Sequence, residues 1–301
     1  MGGADGRLLG LRVSRARRHR LRAVCRYHRP SRDRHECNPW RDRSCRVCHS
    51  CLIRGEGMQR PHRIVILTGA GISKESGLDT FRDADGIWSK VRLEEVATPE
   101  AFIADRVKVQ AFYNARRRGL LDPKVAPNAA HRALALLERN WSGQLLLVTQ
   151  NIDNLHERAG TRQLVHMHGE LLKARCLDCE KVVEWPDDLD ENSICPGCWE
   201  TGGLRPHVVW FGEMPLDILR IHEAIAVCDL FVAIGTSGVV YPAAGFAEGA
   251  RQFGAHTVEL NLEPSAGHSL FAERIYGPAT QVVPAFVEDL LAKSGALQTR
   301  R

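Results

Sequence analysis

Short apolar segments alternate with helical stretches from residue 58 to the end of the chain. The apolar segments predict buried strands at Arg63–Thr68, Gln144–Val148, Leu230–Ile234, Thr257–Leu260 and Thr280–Val283. The stretches between them predict helices at Pro127–Asn140, Tyr241–Phe253 and Pro284–Lys293. Such alternation is typical of a parallel sheet that helices cover on both faces. The pattern therefore predicts an α/β fold with a doubly wound, Rossmann-like parallel sheet.

A further helical region lies outside this alternation. Thr98 followed by Pro99 is typical of a helix N-cap and first helical position. The helical pattern then runs to about Leu121, with a predicted break near Asp105. We therefore predict a helical insertion at about residues 77–125 within a domain that spans residues 58–301.

Residues 1–57 differ in composition from the rest of the chain. They contain 15 Arg, no Lys and 5 acidic residues, so they carry a net charge of +10, whereas residues 58–301 carry −5. Because apolar residues show little periodicity here, the segment is predicted to be a disordered extension. Cys45, Cys48 and Cys51 are also compatible with a metal site or a nucleic-acid-binding arm. An Arg-rich targeting peptide is another alternative, and translation from Met58 is a separate hypothesis.

The composition argues against several classes of protein. No apolar run approaches the roughly 18 residues that span a bilayer. The N-terminus lacks the apolar core and the cleavage site of a secretory signal. Ten Cys in 301 residues then favour a reducing compartment and metal binding over a disulfide framework. We predict a cytoplasmic protein without a membrane partner.

Four cysteines have the spacing of a two-knuckle zinc site. Cys176 and Cys179 form one Cys-x-x-Cys pair, and Cys195 and Cys198 form a second pair after 15 intervening residues. Four thiolates complete a tetrahedral coordination sphere and leave no position for substrate or water. The spacing predicts one structural Zn²⁺ in a module at about residues 172–206.

A turn of small residues follows the first predicted strand. Gly69, Ala70, Gly71 and Ser73 allow backbone amides to approach a phosphate. The turn departs from the pattern Gly-x-Gly-x-x-Gly because Lys74 replaces the third glycine. It predicts a dinucleotide site, and a tight turn without a ligand is the alternative.

Polar residues also follow other predicted strands. Asn151 and Asp153 suit the binding of a ribose or an amide, and they suit the capping of the next helix equally well. Gly235–Ser237 and Asn261–Glu263 fit contacts to adenosine and ribose. We expect these groups at the carboxyl edge of the sheet, where open α/β sheets bind ligands.

Three other residues are candidates for chemistry. His168 is a candidate general base because histidine titrates near neutrality, although spacing does not exclude His166 and a structural role is an alternative. Tyr113 and Arg116 are three residues apart on one predicted helix face and suit a carboxylate ligand. A solvated arginine beside a half-buried tyrosine is the alternative for this pair.

Several motifs in order along the chain resemble the sirtuin family. They are TGAGIS at 68–73, SGLDTFRDADGIW at 76–88, TQNIDNLHERAG at 149–160, HMHGE at 166–170, RPHVVWFGE at 205–213 and GTSGVVYPAA at 235–244. AFYNARRR at 111–118 and NLEPS at 261–265 make the resemblance strongest to bacterial class III sirtuins. The resemblance implies an NAD-dependent protein-lysine deacylase. Such an enzyme removes acetyl and succinyl groups and gives nicotinamide, 2′-O-acyl-ADP-ribose and free lysine.

The resemblance also implies roles for individual residues. His168, not His166, matches the catalytic base, and Asn151 is a second catalytic residue. The NAD contacts that it implies are Gly69, Ala70, Gly71, Ser73, Phe81, Arg82, Trp88, Gln150, Asn151, Ile152, Asp153, Gly235, Thr236, Ser237, Asn261, Leu262, Glu263 and Ala279. Residues 81–88 would belong to a flexible loop that closes over the cofactor.

Substrate contacts follow from the same resemblance. Tyr113 and Arg116 match the pair that binds an acyl carboxylate, and the small Ala97 leaves room for it. A substrate peptide would pair as an extended strand between two strands at residues 209–213 and 238–241. The peptide contacts are predicted to be Val209, Phe211, Gly212, Gly238 and Val239.

Two other function classes are weaker alternatives. An NAD oxidoreductase is disfavoured because the glycine fingerprint is imperfect and no ribose-binding acid ends a second strand. A zinc-bearing nucleic-acid binder is disfavoured because residues 58–301 are net negative. Nucleic acid is therefore an expected partner only through residues 1–57.

Overall fold

The computed structural model describes residues 61–78 and 92–294. Within these residues the strands are β1 (Arg63–Thr68), β2 (Gln144–Thr149), β3 (Leu164–His166), β4 (Gly169–Cys176), β5 (Val182–Glu184), β6 (Leu204–Val208), β7 (Leu230–Ile234), β8 (His256–Asn261) and β9 (Glu273–Tyr276). Six of them form one sheet in the order β3-β2-β1-β7-β8-β9, and every pairing in it is parallel. The predicted parallel sheet is confirmed.

The helices lie between these strands and on both faces of the sheet. In the described residues they are α1 (Pro99–Ala104), α2 (Arg106–Leu120), α3 (Ala129–Asn140), α4 (Leu155–Ala159), α5 (Ile218–Val227), α6 (Phe246–Gln252) and α7 (Ala279–Ser294). Thr98 Oγ1 accepts from the amide of Ala101 at 3.1 Å, and Asp105 Oδ1 accepts from the amide of Lys108 at 2.9 Å. These caps confirm the predicted helix start at Thr98 and the predicted break at Asp105.

The side chains of β1 are buried on both faces of the sheet. Ile64 and Ile66 pack in a cluster with residues of α3 and α7. Val65 and Leu67 point the other way and pack with residues of α5 and α6. Because successive side chains of a strand point to opposite faces, a strand between two helix layers is apolar throughout. This explains the apolar segments that the sequence shows.

The predicted strand Thr280–Val283 is wrong. These residues lie in the first half of α7, and the edge strand of the sheet is β9, which pairs with β8. Val283, Val287 and Leu291 recur every fourth residue, and each is at most 1% exposed. This spacing is helical, but a window of four residues is too short to show it. Proline is common at the first position of a helix, so Pro284 indicates a helix that begins there. In the structure Pro284 lies inside α7.

A second, three-stranded antiparallel sheet has the order β5-β4-β6. Its core contains Ala174, Cys176 and Leu204, together with Leu189 and Cys195. The other end of β4 and β6 packs in a separate cluster with α1 and α2. This second sheet therefore contacts both the predicted zinc ligands and the helices that carry the predicted acyl contacts.

Some of the predictions concern residues that the structure does not describe. The disordered extension, its cysteines and the start at Met58 lie outside the described residues, as do the predicted NAD contacts Phe81, Arg82 and Trp88. Within residues 61–78 and 92–294, none of the helices has the length and apolar character needed to cross a membrane.

Candidate active site

The turn after β1 touches the turn after β7 through backbone atoms. The amide of Gly69 donates to the carbonyl of Ile234 at 2.9 Å, and the amide of Gly71 donates to the carbonyl of Gly235 at 2.9 Å. A Cβ atom on Gly71 would lie 2.7 Å from Gly235 Cα, which is closer than real side chains approach. Glycine at this position is therefore required by the close approach of the neighbouring loop.

A buried chain of hydrogen bonds lies at the carboxyl edge of β1 and β2. The Asn151 side-chain amide donates to the carbonyl of Gly69 at 3.1 Å and to Ser73 Oγ at 3.2 Å. Ser73 then donates to Asp153 Oδ2 at 3.0 Å. Burial raises the pKa of Asp153. Asp153 Oδ1 also accepts from the amide of Leu155 at 3.0 Å, so the carboxyl group that caps α4 belongs to this chain as well.

Thr236 joins the loops that follow β2, β7 and β8. Its hydroxyl accepts from Gln150 Nε2 at 3.1 Å, and its carbonyl accepts from Asn261 Nδ2 at 2.8 Å. The neighbouring Gly235 and Ser237 lie in the same loop. The structure thus brings together polar groups from three strands, as the sequence predicted for this edge.

The remaining predicted NAD contacts also follow strands of the sheet. Ala70 and Ile152 are half-buried, whereas residues 262–263 are exposed. Ala279 is the first residue of α7. The backbone amide of the next residue, Thr280, donates to Glu75 Oε2 at 2.9 Å. This hydrogen bond links α7 to the turn after β1. The predicted NAD contacts among the described residues therefore lie at one edge of the sheet, in the segments that follow its strands and at the start of α7.

His168 has one ring nitrogen available to act as a base. Its Nδ1 lies 3.0 Å from the carbonyl oxygen of Gln150, and a carbonyl oxygen can only accept, so Nδ1 carries the proton. Nε2 is then the basic nitrogen, and no side-chain hydrogen bond to it forms among the described residues. Burial lowers the pKa of His168 below its ordinary value, so the ring is neutral at pH 7.

His166 is held differently at both of its ring nitrogens. Nδ1 lies 3.2 Å from the carbonyl oxygen of Asn151, and Nε2 lies 2.7 Å from Glu157 Oε1. Burial opposes a charge on this ring, but the hydrogen bond and charge of Glu157 outweigh burial and raise the pKa of His166. The geometry therefore favours His168 as the base, a choice that spacing alone left open.

A second layer of histidines, which motif spacing does not indicate as a site, lies beneath this edge. His156 Nε2 lies 3.0 Å from Thr68 Oγ1, which donates to Thr149 Oγ1 at 2.9 Å. The His131 ring centroid is 4.9 Å from that of His156. Burial lowers the pKa of His131 to about 4 and that of His156 well below its ordinary value. Both rings are therefore neutral supports for the strand ends. The sequence contains one indication of this layer, because His156 lies in the same motif as Asn151.

Tyr113, Ala97 and Trp210 belong to one apolar cluster. Tyr113 is 3% exposed, and its hydroxyl accepts from Trp210 Nε1 at 3.0 Å. Burial raises the pKa of Tyr113 to about 12, so the phenol keeps its proton at neutral pH. Arg116 is half-buried, and its guanidinium carbon lies 5.7 Å from the Phe112 ring centroid. The alternative of a half-buried tyrosine beside a solvated arginine is therefore wrong.

The segment Val209–Glu213 is a loop, so the strand predicted there is wrong. Its first amide donates to the carbonyl of His168 at 2.9 Å, and the amide of Phe211 donates to the carbonyl of Ala97 at 2.9 Å. Gly212 then turns the chain at a φ of 90°, which an extended strand does not adopt. The loop is therefore hydrogen-bonded to the main chain of His168, the candidate base, and to the main chain of Ala97, a candidate acyl contact.

The second predicted strand, at residues 238–241, is a loop too. Gly238 has a φ of 70°, in the left-handed region, and Val239 is 59% exposed. Strand geometry is stabilised by backbone pairing with a neighbour, and within the described residues neither loop belongs to a sheet ladder. Any extended pairing of these loops would therefore need a partner chain.

The four predicted zinc ligands lie together. The Sγ atoms of Cys176 and Cys198 are 3.7 Å apart, as are those of Cys179 and Cys195, and all four lie within 4.8 Å of one another. A tetrahedral ion with zinc–sulfur bonds of about 2.3 Å separates its sulfur ligands by about 3.8 Å. The cluster therefore fits Zn²⁺. It lies at the far end of β4 from His168, which is roughly 25 Å for a strand of this length, so the ion would be structural.

A profile of the Sir2 family matches residues 69–242, more than half of the chain. The chain belongs to the Sir2 family. This Sir2 chain is 55% identical over 273 residues to the NAD-dependent protein deacylase of Escherichia coli (strain K12), which covers 90% of this chain and 98% of that protein. The predicted family is confirmed.

Two solved structures show the same Sir2 fold. One is a complex of a Sir2 homologue with NAD, at a TM-score of 0.70 and 38% identity, covering 77% of this chain and 91% of that chain. The other is Sir2Af2 bound to a myristoylated histone peptide, at a TM-score of 0.62 and 32% identity, covering 78% of this chain and 94% of that chain. The predicted fold class is confirmed.

The pKa of His168 in this Sir2 chain predicts the acid limb of its pH profile. Because burial lowers that pKa, the basic neutral ring persists to lower pH than in a solvated histidine. We expect kcat/KM to be constant through neutral pH and to fall with a midpoint below about pH 6.5. The measurement is kcat/KM against pH with zinc content determined at each point, because acid also competes for thiolate ligands. A midpoint above that of free histidine would contradict the assignment.

Loss of one zinc ligand is expected to unfold the second sheet. Cys195→Ser should lower the zinc content by one equivalent per chain and the thermal midpoint by several degrees, because structural zinc contributes directly to folding. Metal analysis and thermal unfolding check both effects. Cys228→Ser is the matched control, since Cys228 is equally buried but lies outside the cluster and donates to the carbonyl of Ile225. Full zinc content in Cys195→Ser would contradict the proposed ligand set.

Proposed function

We propose that this chain is an NAD-dependent protein-lysine deacylase that removes both acetyl and succinyl groups from lysine side chains. The observation that carries the proposal is the state of His168, a neutral histidine with a basic Nε2 at the ligand-binding edge of a Sir2 fold. The relative from Escherichia coli is named an NAD-dependent protein deacylase and is aligned over most of both chains. The products are nicotinamide, 2′-O-acyl-ADP-ribose and free lysine.

NAD supplies the ADP-ribosyl group that accepts the acyl group. We assign its binding to the loops after β1, β2, β7 and β8, with Ala279 at the start of α7 as a further contact. Phe81, Arg82 and Trp88 complete the set by resemblance alone. The chain suits a dinucleotide because these loops meet at one sheet edge, where hydrogen bonds between the loops hold their small and polar residues together.

Asn151, Ser73 and Asp153 orient the site. The hydrogen bonds from Asn151 to Gly69 and Ser73 hold the loops after β1 and β2 together, so an altered amide would change both loops at once. A protonated or hydrogen-bonded Asp153 avoids placing a bare buried charge in the site. The role that we assign to Asn151 is therefore to position these two loops.

His168 is the proton acceptor of the reaction. The Gln150 carbonyl fixes the proton on Nδ1 and directs the lone pair of Nε2 away from the main chain. We assign Nε2 to take a proton from a substrate hydroxyl, which raises the nucleophilicity of that oxygen. The charged ring that results is stabilised by the carbonyl of Gln150, since a hydrogen bond to a charged group is stronger than one to a neutral group.

Tyr113, Arg116 and Ala97 determine which acyl groups are accepted. A succinyl group carries a carboxylate into a cluster of apolar side chains, where an unpaired charge is costly. The Arg116 guanidinium supplies the opposite charge, and the protonated Tyr113 hydroxyl supplies a neutral donor. An acetyl group needs neither, so the same pocket accepts both.

The substrate is an acylated protein segment that lies against the loops 209–213 and 238–241. The two loops expose Phe211 by 48% and Val239 by 59%. The histone-peptide complex of Sir2Af2 supports a peptide ligand for this fold. We propose that Val209, Phe211, Gly212, Gly238 and Val239 contact the peptide, mainly through their backbone. Nucleic acid stays a predicted partner at most through residues 1–57. The predicted cytoplasmic location stays a prediction.

The experiment that tests the proposed function uses one peptide carrying acetyl-lysine or succinyl-lysine. Each form is incubated with the chain, with and without NAD, and both peptide and nicotinamide are followed by mass spectrometry. NAD-dependent loss of both acyl groups with equimolar nicotinamide is the expected result. Loss of acetyl alone would overturn the dual specificity. Formation of reduced NAD without nicotinamide release would instead favour an oxidoreductase.

A further inference from the structure

The Tyr113 hydroxyl has one hydrogen-bond partner among the described residues, and that partner is Trp210. The indole Nε1 carries a proton and has no lone pair available, so Trp210 donates and Tyr113 accepts at 3.0 Å. The proton of the phenol itself is not used in this bond. It is free to be donated to a second group.

The bond from Trp210 also restricts where that proton points. A phenol proton lies in the plane of its ring because the oxygen is conjugated with the ring, so it has two preferred positions. The N–H of Trp210 approaches the phenol oxygen at one of these two positions, so the phenol proton takes the other position. Accepting a hydrogen bond further polarises the hydroxyl and makes it a better donor.

The Trp210 indole is itself held firmly. The Arg205 guanidinium carbon lies 3.4 Å from the indole centroid, a cation–π contact, and the Phe102 ring centroid lies 5.2 Å away. Glu213 accepts from Arg205 at 2.6 and 3.0 Å and from the backbone amide of Trp210 at 2.8 Å. Because these contacts already hold the indole ring in place, the Trp210 side chain loses little further conformational freedom when its N–H donates to Tyr113.

We propose that Trp210 is a positioning residue for acyl specificity, whose indole N–H aims the Tyr113 hydroxyl proton at the carboxylate of a succinyl group. The proposal rests on the proposed function, because it needs a carboxylate in the pocket. It goes beyond the predicted pair, since it makes recognition of the carboxylate depend on a residue outside α2. A pocket with Tyr113 and Arg116 but without this donor would bind succinyl-lysine less well.

The test is a double-mutant cycle read on two substrates. Trp210→Phe keeps an aromatic ring and removes the donor, Tyr113→Phe removes the acceptor, and the double variant removes both. We expect Trp210→Phe to lower the succinyl-to-acetyl ratio of kcat/KM by about tenfold, as the loss of one hydrogen bond predicts. The change should lie in KM for the succinyl peptide. In the Tyr113→Phe background, Trp210→Phe should leave the ratio unchanged.

Two controls separate this effect from packing. Trp141→Phe removes an indole donor that pairs with the carbonyl of His62, far from the pocket, and should not change the ratio. If Trp210→Phe does not fold, 3-benzothienylalanine at position 210 keeps the shape of the indole and replaces the N–H by sulfur. The same tenfold change is then expected from the analogue.

The outcomes distinguish the two proposals. A wild-type chain that releases succinyl groups, together with an unchanged ratio in the Trp210 variants, would overturn the role of Trp210 alone. An equal fall of the ratio in the Tyr113→Phe background would overturn it too, because Trp210 would then act without the hydroxyl. A wild-type chain that releases acetyl but not succinyl groups would overturn both proposals.

Discussion

Replacing His168 by Ala is expected to lower kcat/KM by at least about 10²-fold for both acetyl-lysine and succinyl-lysine peptides. A positioned general base contributes about 10²- to 10⁴-fold to the rate, and His168 is a neutral histidine at this edge whose basic ring nitrogen makes no side-chain hydrogen bond among the described residues. Binding of NAD should be retained, since the hydrogen bonds of Asn151 and Thr236 do not involve the His168 ring. The measurement is steady-state kinetics with both peptides, together with a direct NAD-binding titration.

His166→Gln is the matched control for this variant. His166 lies two residues away and is similarly half-buried, but both of its ring nitrogens are held by Asn151 and Glu157. We expect this substitution to cost less than about tenfold, because it removes a support and not the base. If instead His166→Gln abolished turnover while His168→Ala spared it, the assignment of the base would be reversed.

Arg116→Met should abolish most succinyl-lysine turnover and spare acetyl-lysine turnover to within a few-fold. Removing one partner of a desolvated charge pair costs about 2 kcal/mol or more, so kcat/KM for the succinyl peptide should fall by at least about 30-fold. Methionine keeps much of the length and apolar stem of arginine, so the packing next to Phe112 is largely preserved. The ratio of the two kcat/KM values is the quantity to measure.

Arg118→Met provides a control on the same helix. The Arg118 side chain is 61% exposed and pairs with Asp188 at the surface, so its loss should leave the ratio unchanged. A parallel fall of acetyl and succinyl turnover in Arg116→Met would show that the arginine supports the fold or the cofactor. It would then not be the ligand of the acyl carboxylate.

The sequence predicted four of the six strands of the central sheet and none of the second sheet. Strands β1, β2 and β7 are apolar because helices cover them on both faces, and β8 contributes Val258 and Leu260 to one of the two apolar clusters, so burial marks these four strands in the sequence. Strands β5 and β6 have three and five residues and include Glu184, Arg205 and His207, so no apolar run marks them. Their pairing with β4 depends on contacts between distant residues, which no local window contains.

The candidate site divides in the same way. The motif order indicated the loops that meet at the sheet edge, and the parallel strand order explains why they meet. Which histidine is the base depends on the carbonyl of Gln150 and the carboxylate of Glu157. Spacing does not contain this information, because both histidines lie in one short motif and their hydrogen-bond partners lie 9 to 18 residues away in the chain.

The sequence by itself determined the family and the parallel sheet and indicated the four cysteines that lie together, because motif order, apolar runs and Cys-x-x-Cys spacing are properties of neighbouring residues. The tertiary structure alone decided three other features. It gave the hydrogen bonds that distinguish His168 from His166, a choice that the motif match had already favoured, it seated Gly71 against Gly235, and it placed the Tyr113 hydroxyl on Trp210, which is 97 residues away in the chain. Each of these features depends on a contact between residues that meet only when the chain folds. Burial at such contacts determines which hydrogen bonds the polar groups form and how their pKa values shift.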